Sequence, residues 1–253
     1  MADKGTRGAG DTARRAVSPA ALLRLSGLAV MLSVPFTLVG LVLHPPSEEV
    51  ANVLNPLYAP AHLIELVGWA LLLLGLPGLY ARQAARAGRL GLVSFALLML
   101  YVAYGIYILV YEGWVTPLLA REPATQGLIG LDGPLAHGAG ALGPVGFMLV
   151  LAIPLFGIAT LRAGVLPRWS GWLQIVSVPA FILGFIVVGL APPVVSAALP
   201  GWDTGVPAGP LSPVALHEYL LFLGYALSGY AVWKGRERPV ERAGRLAAPQ
   251  PAF

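Results

Sequence analysis

The chain contains no cysteine. Disulfides, thiolate metal centres and cysteine nucleophiles are therefore excluded. Charge is also scarce: 11% of the 253 residues are Asp, Glu, Lys or Arg, against roughly a quarter in a soluble domain. There is no P-loop, no Gly-x-Ser-x-Gly elbow and no His-Glu-x-x-His signature. No apolar run holds a lysine for retinal, or the row of charges expected of a voltage sensor or proton pump.

What is abundant is apolar sequence. Hydrophobic residues make up 57% of the chain, and its mean hydropathy is +0.76. The apolar residues gather in runs at 21–43, 61–81, 91–111, 138–161, 169–190 and 214–233. At 1.5 Å per residue each run covers roughly 30–36 Å, enough for a bilayer's hydrocarbon core. The expected fold is all-α, a polytopic membrane protein of six transmembrane helices. Residues 1–20 are expected to be a basic, disordered tail, and 234–253 a basic, Ala/Pro-rich cytoplasmic tail, disordered beyond Leu246, on either side of the 21–233 domain. The first run is read as a retained span. It is too long for a signal-peptide core, and His44-Pro-Pro follows it in place of a small-x-small cleavage site. Pro35, Pro77, Pro154 and Pro179 predict kinks. The proline-rich 191–213 segment is expected to be extended, and a short helix is expected around Thr116–Ala120.

The few charges are distributed unevenly. With Arg24 counted, the tails and the two short loops, Arg82–Leu90 and Arg162–Arg168, hold 15 of the 16 Lys and Arg residues; only Arg121 lies elsewhere. The positive-inside rule then puts both termini in the cytoplasm and the protein in the cell membrane. The +4 net charge is thus a topology signal, and no nucleic-acid partner is expected. Trp169, Trp172, Trp233 and Tyr80 fall at the inner interface, with Trp114 and Tyr58 at the outer.

Arg-Ala-Gly-x-Leu occurs three times, at Arg86–Leu90, Arg162–Leu166 and Arg242–Leu246. One histidine, His62, His137 or His217, precedes each copy at nearly constant distance. The six spans are accordingly read as three pseudo-repeated hairpins. The inner loops, above all Leu161-Arg-Ala-Gly-Val-Leu-Pro-Arg-Trp-Ser-Gly171 and Gly78-Leu-Tyr-Ala-Arg-Gln-Ala84 leading to Arg86, resemble those of uncharacterised six-span membrane proteins of GC-rich bacteria. That resemblance implies the fold and carries no activity.

The histidines all fall at the outer face. His44 ends span 1, and His62, His137 and His217 open spans 2, 4 and 6. Imidazole with carboxylate is the ligand set of zinc, iron and manganese sites. If the repeats pack about a threefold axis, His62, His137 and His217 converge on a metal or bracket a single haem. Glu65, one turn after His62, and Glu218, beside His217, are candidate ligand-binding groups; Glu65 is the deepest. The alternative is plain interfacial or helix-capping duty, since a glutamate in a first turn also suits the helix dipole. Tyr101, Tyr104, Tyr107 and Tyr111 form one stripe on span 3, either a packing seam or a wall of a cavity below the His/Glu cluster. Gln174 and Ser177 are expected to hydrogen-bond between helices, and the Gly138–Gly146 segment to let helices approach closely.

Three functional readings stay open. The first is a transporter-like or binding scaffold for a small molecule, metal ion or haem, with an outward-facing pocket. The second is an outer-leaflet metal-dependent hydrolase or quinone-linked redox enzyme. The third is a non-catalytic subunit of a membrane complex.

Overall fold

The computed structural model describes residues 18–129, 133–135, 146, 150–198 and 209–235. Among them there is no strand. The helices are α1 (Pro19–Leu43), α2 (Val50–Val53), α3 (Tyr58–Val110), a π-helical turn (Tyr111–Val115), α4 (Thr116–Arg121), α5 (Ala152–Ala163), α6 (Arg168–Leu190), α7 (Pro192–Ala198) and α8 (Leu216–Trp233). Among the described residues three helical segments are long and apolar enough to cross a membrane: α1, the Tyr58–Arg121 segment and α6.

Helix α1 shows how burial is arranged. Its inner face is Gly27, Val30, Ser33, Thr37 and Gly40, while Leu22, Leu25, Leu32, Phe36, Val39 and Val42 are exposed. Small and polar groups inside with apolar groups outside is the reverse of a soluble helix. It suits a lipid solvent, where close backbone approach drives helix association. Ser18 caps α1 by accepting from the Ala21 N–H at 3.1 Å, with Pro19 in the first turn. The helix stops at His44 because Pro45 follows. A residue before proline is pushed out of the helical region, and His44 sits at φ −66°, ψ 129°.

Helix α3 is a hairpin of two arms. It breaks at Gly88, whose φ of 59° is open to glycine and strained for other residues. Tyr80 stacks on Phe95 at 4.5 Å, Trp69 meets Tyr101 at 5.6 Å and His62 meets Glu112, so the arms run antiparallel. The loop expected over Arg82–Leu90 is therefore a single-residue break. In the second Arg-Ala-Gly-x-Leu copy, Gly164 has φ 60° and ends α5 in the left-handed conformation. The motif thus has a local physical reason, a glycine that reverses the chain beside an arginine. The third copy lies outside the described residues.

The first arm of α3 packs antiparallel on α1. Gly40 lies against Ala61 and Glu65, Gly68 against Ser33 and Thr37, and Gly75 against Ser26 and Val30. Helix α8 packs on α1 through Gly27 and Gly229, and on α6 through Gly224 and Ser170. Helix α5 completes the bundle against α3 and α6. Leu72, Leu76, Leu98, Phe156, Phe222 and Tyr225 fill the core. One end of the bundle gathers Arg82, Arg86, Arg89, Arg162 and Arg168. The other, where α1 ends and α3 and α8 begin, gathers the described histidines.

Other expectations are revised. The 191–213 segment opens with a helix, Pro192–Ala198, because prolines are tolerated in a first turn whose N–H groups need no partner. The short helix expected around Thr116–Ala120 is present as α4, Thr116–Arg121, and it continues α3 through the π-helical turn with no intervening loop. Of the expected fourth span the described helix is Ala152–Ala163; residues 138–145, 1–17 and 236–253 lie outside the described residues, while Gly146 lies against the Tyr104 ring. Ser177 donates to the Gln174 carbonyl of its own helix at 2.8 Å, and the buried Gln174 amide has no hydrogen-bond partner among the described residues. The expected interhelical hydrogen bonds are not made there.

Candidate metal centre

At the histidine end, three segments bring their donors together. His44 stands at the proline-enforced end of α1, and Glu48 follows one turn of chain later. His62 lies in the first turns of α3. The His44 and His62 Nε2 atoms are 3.2 Å apart. Glu48 Oε1 lies 3.2 Å from the first and 4.0 Å from the second. Glu112, brought back by the second arm of α3, places Oε2 at 3.3 Å from His62 Nε2. His62 is 1% exposed and Glu112 8%.

The surrounding groups aim these atoms inward. The Nδ1 of His44 lies 2.6 Å from the Pro45 carbonyl oxygen, and that of His62 lies 2.8 Å from the Tyr58 carbonyl oxygen. A carbonyl only accepts, so each Nδ1 carries its proton, and in the neutral ring Nε2 presents a lone pair. The Tyr58 hydroxyl donates to Glu48 Oε2, which turns Oε1 toward the imidazoles. Two nitrogen lone pairs and two carboxylates facing one another repel unless a proton or a cation lies between them. A tetrahedral ion with bonds of about 2.0–2.1 Å sets its ligand atoms roughly 3.3 Å apart. The ligand atoms of His44, Glu48 and His62 all lie within 4.8 Å of one another, and two of their three separations match that edge; Glu112 approaches it toward His62 alone. Backbone carbonyls on Nδ1 and a hydroxyl on the carboxylate are the outer groups that fix metal ligands. A haem does not fit between these two rings, since axial nitrogens across an iron lie about 4 Å apart, twice a metal–imidazole bond, with the porphyrin between.

The metal-free cluster is an ion pair. Burial opposes charge on His44, yet the hydrogen bond and charge of Glu48 raise it to about 9. Burial likewise opposes charge on Glu48, but His44, His62 and the Tyr58 hydroxyl hold it down at about 2. The raised imidazole stabilises the fold below its ordinary 6.5, and that contribution is lost as pH climbs through about 9. The depressed carboxyl stabilises above its ordinary 4.5, and that is lost as pH falls through about 2. Metal-free protein in detergent should therefore melt highest between about pH 4.5 and 6.5 and lose stability toward about pH 9.5. A melting temperature that rises steadily from about pH 6 to about 9.5 would contradict the ion pair.

Behind the cluster lies a cavity of about 320 Å³. Glu65, Trp69, Tyr101, Tyr104, His217 and Glu218 line it with the four donors. Gly40 makes room for Glu65: a Cβ there would come within 2.2 Å of the Glu65 Cγ.

The structure thus gathers His62, Glu65, Glu218 and Tyr104 around one cavity. His217 also lines it, but its Nδ1 lies 2.8 Å from the Val214 carbonyl oxygen and its ring packs on Phe181. Tyr107 and Tyr111 continue the stripe, ring beside ring, outside the cavity lining; Tyr107 is 40% exposed. His137 lies outside the described residues. Sequence reasoning does not single out His44, Glu48 and Glu112 as ligands. The four-residue spacing of His44 and Glu48 around two prolines is the available signal. Comparison with protein-family models, with curated proteins and with solved structures finds no match to this chain.

Proposed function

We propose that the protein is a polytopic cell-membrane protein that binds one divalent transition-metal ion at its outer end, as a binding or transporter-like scaffold. The observation that carries this reading is the convergence of His44, Glu48 and His62, whose ligand atoms lie within 4.8 Å of one another with their outer atoms already engaged, with Glu112 at 3.3 Å from His62. The topology is six spans with both termini in the cytoplasm. In its support, Arg82, Arg86, Arg89, Arg162 and Arg168 gather at one end, and Glu48, Glu65, Glu112 and Glu218 at the other. The three-hairpin reading rests on the recurring Arg-Ala-Gly turns.

The test is elemental analysis of protein purified in mild detergent, followed by titration of the chelated and dialysed protein with Zn²⁺, Mn²⁺ and Fe²⁺. One ion per chain, with saturable rebinding, is the expected result. Metal-free protein that rebinds none of the three sinks the proposal.

The adjoining cavity favours a second reading, a metal-dependent enzyme. An ion held by His44, Glu48 and His62 would keep a fourth position open toward the cavity, which is the layout of a catalytic site. Turnover of an ester or quinol that disappears with chelation and returns with metal would select it. The glycine faces of α1, α3 and α8 are already engaged within the chain, so they supply no argument for a partner subunit.

A further inference from the structure

We infer that the cavity beneath the metal centre is a binding site for a small organic cation, an alkylated ammonium group held by Glu65 and Glu218. The inference goes beyond the metal reading and does not depend on it, because it rests on different side chains.

Glu65 is 7% exposed, lines the cavity and makes no hydrogen bond or ion pair among the described residues. Glu218, which also lines the cavity, has a buried Oε2 without a hydrogen-bond partner among the described residues. Glu65 and Glu218 both line this one cavity, so the two carboxyl groups share one space. They come from α3 and α8, which the α1 packing brings together. Among the described residues no Lys or Arg lines the cavity. Its other carboxylates, Glu48 and Glu112, face His44 and His62 at the rim. His217 is held by the Val214 carbonyl.

An unpaired carboxylate in a membrane interior is costly and calls for a cation. The remaining wall suits an organic one. Trp69, Tyr101 and Tyr104 present aromatic surface, with Trp69 seated where Gly105 leaves space and 5.6 Å from Tyr101. Aromatic faces attract alkylated ammonium groups, and most strongly when water is excluded. The volume of about 320 Å³ lies at the lower end of small-molecule sites, roughly 300–1,000 Å³.

The test is isothermal titration of the full chain in detergent with benzyltrimethylammonium and with its uncharged counterpart neopentylbenzene. EDTA is kept present throughout, so that metal at the rim plays no part and the two proposals fail separately. Saturable binding of the ammonium compound, at least tenfold tighter than neopentylbenzene, is expected. Glu65→Gln and Glu218→Gln, which keep shape and remove charge, should each weaken it at least tenfold. Equal affinity for the two compounds in the wild type overturns the inference without recourse to any variant. No binding of the ammonium compound overturns it too, and leaves Glu65 and Glu218 as a pair sharing a proton. Undiminished binding in the folded Glu65→Gln/Glu218→Gln protein also overturns it.

Discussion

His62→Ala is expected to weaken Zn²⁺ binding at least 100-fold and to abolish the rise in melting temperature that Zn²⁺ gives the wild type. His62 stands at the centre of the cluster, within 3.2–4.0 Å of His44, Glu48 and Glu112. Loss of a group that merely orients a ligand already costs about 10–100-fold in metal affinity, and loss of a ligand costs more. Zn²⁺ at about a hundred times its dissociation constant stabilises a folded protein by about 2.7 kcal/mol. The wild-type shift should therefore be several degrees, and the variant's should vanish. His217→Ala is the informative companion. Its ring is engaged by Val214 and Phe181, and its loss should leave Zn²⁺ affinity within a few-fold of wild type. Equal damage from both substitutions would replace the His44–Glu48–His62–Glu112 site with one built from the repeat-related histidines.

Gly68→Ala is expected to destabilise the bundle by about 1–3 kcal/mol and to weaken Zn²⁺ binding at least tenfold, although the residue touches no ligand. A Cβ at Gly68 would lie 2.4 Å from Thr37 Oγ1 and 2.8 Å from both the Ser33 carbonyl oxygen and the Thr37 nitrogen. The last two are backbone atoms, so relief requires α1 and α3 to separate. His44 rides on α1 and His62 on α3, so a shift between them opens the cluster. Gly189→Ala serves as the control. Nothing lies within 4 Å of a Cβ there, and alanine favours a helix interior by about 1 kcal/mol over glycine. Denaturant titration and Zn²⁺ titration of the same samples check both halves. A Gly68→Ala protein that loses stability yet binds Zn²⁺ as the wild type does would uncouple the site from the α1–α3 contact.

Much of the architecture is legible in local sequence because lipid imposes a local rule. Backbone groups without water must be satisfied within their own helix, so apolar runs such as 21–43 and 169–190 become α1 and α6 with little reference to the rest of the chain. The Arg-Ala-Gly turns are local too, since a glycine at positive φ ends a helix wherever it occurs. Glu65 stands out for the same kind of reason, as a charge one turn inside an apolar run. The Pro192–Ala198 helix escapes a reading from composition because six prolines between 192 and 213 suggest an extended chain, while the first two also suit a helix start.

The site was legible only in part: His62, Glu65, Glu218 and Tyr104 were expected from the sequence and line the one cavity, while the other cluster members were not singled out. The repeat pointed to His62, His137 and His217, which sit at equivalent places in the sequence pattern. The cluster instead draws on His44 and Glu48, from one connection between helices, and on Glu112, from the far arm of a hairpin. Sequence by itself determined that the chain is helical, apolar enough for a membrane and sharply divided between basic and acidic ends. Those properties follow from each residue's own solvent preference and backbone freedom. Only the tertiary structure decided which acids and imidazoles meet. That outcome depends on the close approach of α1 and α3 at Gly40 and Gly68, and on the reversal at Gly88 that returns Glu112 to His62. These contacts join residues dozens of positions apart, and no local preference encodes them.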